Sequence, residues 1–168
     1  MYWSESRSLA EENAAAGLPV RDLRGYLVGR WQFQRRIDDQ KSVMSGDIRG
    51  AAVFANSGPG AGGGGLSYRE EGRFDRPNQP SLVCSQTYSY QILDLGSAEV
   101  YFPDGRFFHR LDLRRGRWEV EHSCGPDLYR GQFVVISPDC WTTVWRVSGP
   151  RKDAVLTSRF NRLAAATG

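Results

Sequence analysis

The sequence predicts an all-β fold, an antiparallel up-and-down barrel or a sandwich, with about eight to ten strands and a short N-terminal helical extension. Aromatic and aliphatic residues alternate with polar ones over many short segments, which is typical of half-buried strands. Glycine, proline, asparagine and aspartate separate these segments at short intervals, and no helical period lies between them. This spacing favours pairing between strands that follow one another in the chain.

The N-terminal residues are predicted to be helical. Ser8 and Glu11 have the spacing of a capping box, and the helix they begin is expected to end at Gly17. Asp22 is placed to cap a second short helix over 23–28. The chain is therefore divided into an N-terminal helical extension (1–22), a β-barrel domain (23–162) and a C-terminal tail (163–168).

From Gly29 onward, apolar and polar residues alternate with the period of two that is typical of a β-strand. Trp31, Phe33 and Arg35 share one face of the first predicted strand. Further strands are predicted over 48–55, 66–74, 82–92, 97–103, 106–113, 117–124, 128–136, 141–148 and 153–161. The glycine-rich stretch 56–65 is a loop between two of these strands.

Ionisable side chains lie on the same strand faces as the apolar residues. His109 is two residues from Phe107, so both are expected to point inward. His122 and Cys124 share a face in the same way. Because an unpaired buried charge costs several kcal/mol, inward ionisable groups indicate a polar-lined cavity rather than a sealed core. The candidate ligand-binding residues are Arg35, Tyr68, Tyr88, Phe107, Trp118, Cys124, Tyr129, Phe133 and Trp145.

Three functions are open for such a cavity. The first is binding of a small, largely apolar molecule whose carboxylate or carbonyl group is held by Arg35 and the tyrosines. The second is an enzyme of the cyclase or isomerase type in which His109, His122 and Glu70 exchange protons, with Asp127 as an alternative carboxylate. An imidazole beside a buried carboxylate titrates near neutral pH, which suits such a couple. The third is haem or metal binding through His109 or His122, with Cys124 as a further metal ligand. A hydrogen-bonded network that only fixes strand register is the structural alternative.

Composition limits the partners of the protein. The net charge is +3 and the arginines are scattered, so we expect no nucleic-acid binding. The sequence contains no apolar run of the roughly 20 residues that span a bilayer, and we expect no membrane partner. Three cysteines without framework spacing, and the lack of a signal-peptide pattern, favour a cytoplasmic protein with reduced thiols. We expect no resident cofactor or metal, and a monomer or homodimer.

Short motifs run through most of the chain: Leu27-x-Gly29-x-Trp31-x-Phe33-x-Arg35-x-Ile37, Tyr68-x-Glu70-x-Gly72, Phe102-x-Asp104-Gly105-Arg106-x-Phe108-His109, His122-x-Cys124-x-x-Asp127-x-Tyr129 and Trp145-x-Val147-x-Gly149-Pro150-x-Lys152-Asp153. Over residues 23–162 they resemble the bacterial and fungal family known as domain of unknown function 6314. The resemblance implies a calycin-like β-barrel, with the architecture of lipocalins, fatty-acid-binding proteins and nitrobindins, and it implies no particular reaction. Lipocalin-type barrels begin with Gly-x-Trp, whose tryptophan stacks on an arginine of the last strand. The resemblance therefore pairs Trp31 with Arg159 or Arg162.

Overall fold

A computed structural model describes residues 17–58 and 64–165, in which ten antiparallel strands form a nearly closed barrel. One short helix precedes them. The elements are α1 (Leu23–Leu27), β1 (Gly29–Asp39), β2 (Gly46–Ser57), β3 (Gly65–Asp75), β4 (Leu82–Ile92), β5 (Ser97–Tyr101), β6 (Phe107–Asp112), β7 (Arg117–Cys124), β8 (Asp127–Ser137), β9 (Cys140–Ser148) and β10 (Asp153–Arg162). The predicted all-β fold is confirmed, and so is the helix after Asp22. The helix predicted from Ser8 lies outside the described residues.

The strands follow the order β6-β5-β4-β3-β2-β1-β10-β9-β8-β7 in one sheet. β1 pairs with both β2 and β10, so the first and last strands join the two halves of the barrel. The end strands β6 and β7 lie side by side, but the described residues form no backbone ladder between them. Across this seam the indole Nε1 of Trp118 on β7 donates to the carbonyl of Arg110 on β6, at 2.7 Å. Between β6 and β7 the barrel is therefore closed by side-chain contacts rather than by backbone hydrogen bonds.

Helix α1 closes one end of the barrel. The Asp22 carboxylate accepts from the backbone N–H of Gly25 at 3.0 Å, which caps the helix. Leu23 and Leu27 are buried against the core. Trp31 belongs to the same core cluster as Leu23 and Leu27, and its Nε1 donates to the carbonyl of Leu27 at 2.9 Å. None of the helical structure in the described ranges has the length and apolarity that crossing a membrane requires.

Arg162 is the arginine that stacks on Trp31. Its guanidinium carbon lies 4.1 Å from the indole centroid. The same guanidinium donates to the carbonyls of Tyr26 at 2.6 Å and Val28 at 3.2 Å, which lie at the C-terminal end of the helix. Of the two arginines left open by the resemblance, Arg159 is thus the wrong one.

A β-bulge in β6 breaks the predicted alternation. Val100 pairs with His109 and Tyr101 pairs with Phe107, so Phe108 is an extra residue on the β6 side. Phe107 consequently points outward and is 49% exposed, whereas Phe108 is buried. The predicted inward position of Phe107 is wrong. The predicted inward position of His109 is right. His109 pairs with the buried Val100, beyond the bulge, and is itself buried.

Candidate functional site

A cavity of about 240 Å³ lies inside the barrel. Trp141 forms its inner end, with its ring packed edge-on against Trp31 at 6.1 Å between centroids. Gln86, Tyr88 and Tyr129 are only half-buried, so the cavity opens to solvent towards the end away from α1. The lining residues are Arg35, Tyr68, Glu70, Gln86, Tyr88, Tyr90, Val100, Phe108, His109, Tyr129, Phe133, Trp141, Thr143, Trp145, Val147, Leu156 and Phe160.

Aromatic rings form the wall on the β6, β8 and β9 side. Phe108 stacks on Trp145 with centroids 5.2 Å apart and planes at 17°. Phe133 meets the same indole edge-on at 5.8 Å. Gly131 makes room for this arrangement, because a Cβ at that position would lie 2.7 Å from the Trp145 ring. The wall therefore presents ring faces and ring edges, against which a planar apolar molecule can pack.

A buried ion pair forms the polar part of the lining. Arg35 Nη1 lies 2.6 Å from Glu70 Oε1, and Nη2 lies 3.0 Å from Oε2, in the two-pronged geometry that guanidinium and carboxylate favour. Arg35 Nε donates to the hydroxyl of Ser158 at 2.8 Å. The hydroxyl of Tyr68 donates to the Glu70 carboxylate. Burial lowers the pKa of Arg35, but the bonds to Glu70 more than offset this and hold the pKa above its usual value.

His109 is held in one neutral form. Its Nδ1 lies 2.9 Å from the carbonyl oxygen of Arg110, and because a carbonyl only accepts, Nδ1 carries the hydrogen. Nε2 is then an acceptor, and it has no hydrogen-bond partner among the described residues. Burial lowers the pKa of His109 to about 4, against the opposing effect of the Arg110 carbonyl. The imidazole is therefore uncharged at neutral pH.

Two donors in the lining also lack partners within the described ranges. The indole Nε1 of Trp141 is buried without a hydrogen bond. The hydroxyl of Tyr88 forms none either, and burial followed by the charge of Glu70 raises the pKa of this phenol to about 12. The Trp141 nitrogen is closed off from the cavity space, whereas the hydroxyl of the half-buried Tyr88 is available to a bound molecule or to water.

Comparison with known proteins assigns a family. The family of unknown function DUF6314 matches residues 27–162. The chain belongs to this family. No curated protein matches the chain. The DUF6314 chain is similar to the S-type phycobiliprotein lyase CPES from Guillardia theta, with a TM-score of 0.65 and 8% identity over 95% of this chain and 99% of the lyase.

A second similar structure is a protein of unknown function from the DUF3598 family of Nostoc punctiforme. Its TM-score is 0.57 and its identity is 13%, over 88% of this chain and 51% of that protein. At these identities both likenesses show the fold alone. They confirm the calycin-like barrel that the resemblance to DUF6314 implied.

Eight of the predicted site residues meet in the cavity of this DUF6314 protein: Arg35, Tyr68, Glu70, Tyr88, His109, Tyr129, Phe133 and Trp145. Phe107, Trp118, His122 and Cys124 are not among the lining residues. His122 packs edge-on against Phe108 at the seam, with centroids 5.3 Å apart. Trp118 spans the seam, and Cys124 is exposed at the end of β7.

The acid–base couples predicted from the sequence do not form among the described residues. Glu70 is paired with Arg35, and Asp127 is paired with Lys152 at 2.9 Å, so neither carboxylate meets an imidazole. Within residues 17–58 and 64–165 no group of three or more histidine, cysteine, aspartate or glutamate side chains could hold a metal. The alternative of a metal between His109, His122 and Cys124 therefore has no geometric support.

Several lining residues were not singled out from the sequence. Tyr90 and Gln86 share a predicted face with Tyr88, and Trp141 shares one with Trp145, so the period of two was sufficient to find them. Phe108 carried no such signal, because it lies inward only through the bulge.

A larger depression of about 430 Å³ lies on the outer surface of β7, β8 and β9. Its lining includes Glu121 and Arg130, which form an exposed ion pair at 2.9 Å. Its charged side chains are exposed and already paired with each other, so the cavity inside the barrel is the stronger candidate site.

Proposed function

We propose that this protein binds a small, flat, largely apolar molecule bearing a carbonyl or carboxylate group inside the barrel. The observation that carries the proposal is an aromatic cavity lined by polar atoms that have no hydrogen-bond partner among the described residues, above all His109 Nε2. Protein interiors are otherwise close-packed and their polar groups satisfied. A chain that leaves both space and open hydrogen-bonding groups in its centre is suited to a ligand.

The size of the cavity limits the ligand. An apolar cavity of about 150 Å³ binds benzene, and drug-sized molecules occupy pockets of about 300–1,000 Å³. A volume of about 240 Å³ therefore suits one or two fused rings. A haem macrocycle is far larger than this space, so the residues present do not fit haem.

A second candidate is an enzyme in the same cavity. The observation in its favour is the free Nε2 of His109, which is positioned to accept a proton from a bound molecule. The other tentative catalytic groups support it less, since Glu70 is engaged by Arg35 and His122 lies outside the lining. The similar fold of a phycobiliprotein lyase supports the general idea that such a barrel carries a site for another molecule.

We also propose a cytoplasmic protein, monomeric or homodimeric, without nucleic-acid or membrane partners. Cys84, Cys124 and Cys140 form no disulfide with one another in the described structure, which supports a reducing compartment.

Native mass spectrometry of freshly purified protein tests the proposal. We expect an adduct with the mass of a small aromatic molecule. Leu156→Trp fills the cavity and should abolish the adduct, whereas Val155→Trp adds the same bulk on the outer face and should retain it. Retention of the adduct by Leu156→Trp, or failure of the wild type to bind any small aromatic probe, contradicts the proposal.

A further inference from the structure

The cavity contains one permanent cation, and that cation is already neutralised. Arg35 is the only lysine or arginine among the lining residues, and its guanidinium meets Glu70 through two hydrogen bonds. Both side chains are largely buried, at 18% and 9% exposure. The pair therefore contributes no net charge to the space beside it.

The remaining lining groups add no charge. His109 is neutral because burial disfavours its protonated form. Burial, followed by the charge of Glu70, also raises the pKa of Tyr68 well above its usual value, so this phenol keeps its proton. An anionic ligand would enter a space without an uncompensated cation, close to the Glu70 carboxylate, and buried unpaired charges are strongly disfavoured.

Neutral hydrogen-bonding groups, in contrast, remain available. A guanidinium has five N–H bonds, and the contacts to Glu70 and Ser158 use three of them. The hydroxyl of Tyr88 is a further donor, and His109 Nε2 is an acceptor. This set matches a carbonyl oxygen together with an N–H or O–H group.

We propose that Glu70 determines the charge of the ligand: by neutralising Arg35 it makes the cavity select uncharged planar molecules that carry both a carbonyl and a hydrogen-bond donor, and it excludes carboxylates. This inference rests on the proposed function and deepens it. Removing the Glu70 charge leaves Arg35 uncompensated, which converts the same cavity into a carboxylate site.

The test uses two probes of equal shape and different charge, 2-naphthamide and 2-naphthoate, titrated by calorimetry at neutral pH. The wild type should bind 2-naphthamide about 10- to 100-fold more tightly, the range expected for charged hydrogen-bonding groups. Glu70→Gln should reverse this preference. Glu71→Gln is the matched control, because it removes the same charge from the adjacent exposed residue, and it should behave as the wild type.

A second variant separates charge from shape. Arg35→Gln/Glu70→Gln keeps the pair neutral and should retain the preference for the amide even if Glu70→Gln alone does not fold. Equal or tighter binding of 2-naphthoate by the wild type or the double variant overturns the inference, as does an unchanged preference in folded Glu70→Gln. If the wild type binds neither probe, the proposed function fails together with the inference.

Discussion

Replacing Arg162 by alanine is expected to lower the free energy of unfolding by about 4 kcal/mol, estimated from the contacts of one guanidinium. Arg162 lies 4.1 Å from the Trp31 centroid and donates to the carbonyls of Tyr26 and Val28 at 2.6 and 3.2 Å. It therefore joins the end of β10 to α1 and to the first strand. The side chain is 26% exposed, so water screens it only in part.

The magnitude follows from these contacts. A partly desolvated cation–π contact contributes about 1–2 kcal/mol, and each hydrogen bond from a charged donor about 1.5–3 kcal/mol. The additional ion pair with Asp139, whose side chain is 74% exposed, adds at most about 1 kcal/mol. Contacts that share one guanidinium do not add fully, so we take a value near the lower end of the sum.

Urea and thermal unfolding measure this loss. For a domain of this size about 4 kcal/mol corresponds to a melting temperature lower by about 8–16 °C. Arg162→Lys keeps the charge without the planar fork and should lose roughly half as much. Arg49→Ala is the control, because Arg49 is exposed opposite Arg73 and its removal relieves a like-charge contact. A loss for Arg162→Ala no larger than for Arg49→Ala would refute the reasoning.

Three other predictions address the cavity wall. Phe108→Ala should cost about 3–4 kcal/mol in urea unfolding and Phe107→Ala under about 1 kcal/mol, because the bulge buries only the former; equal costs would mean that the bulge is absent. Gly131→Ala should destabilise the protein by about 1–3 kcal/mol and change the near-ultraviolet circular dichroism of Trp145, since the new Cβ would lie 2.7 Å from that ring. Because burial lowers the pKa of His109 to about 4, below about 6.5 in the unfolded chain, its contribution to stability is complete above about pH 6.5 and declines as the pH falls towards 4. Stability should therefore drop by about 2 kcal/mol between pH 8 and pH 5, and His109→Gln should lack this part of the drop.

The strands were predictable because their signal is local. Each strand buries one face, so the period of two appears in the sequence itself, and turn residues mark the ends. The predicted bounds 82–92 and 117–124 coincide with β4 and β7. The bulge in β6 was not predictable in this way, because Phe107 and Phe108 are chemically identical and only the pairing with β5 decides which one is buried.

The site was harder to predict than the fold. The alternation along a strand shows which residues point inward, but it does not show which inward residues of neighbouring strands lie at the same level of the barrel axis. Arg35 and Glu70 were expected to point inward, and they do. Their pairing depends on the registers of β1 with β2 and of β2 with β3, in which Arg35 lies opposite Ile48 and Glu70 opposite Ala52. The position of His122 was not predictable for the same reason. It packs against Phe108 between β6 and β7 and does not line the cavity.

The protonation states of the lining favour binding over acid–base chemistry. Efficient proton transfer at neutral pH needs a group whose pKa lies near 7. Burial moves the two best-placed groups away from that value, His109 down to about 4 and Tyr88 up to about 12. The Glu70 carboxylate accepts bonds from Arg35 and Tyr68, so it is engaged as an acceptor rather than free to act as a base. Each of these groups consequently offers a fixed donor or acceptor, which supports the proposal that the cavity binds a ligand chosen by its shape and neutrality.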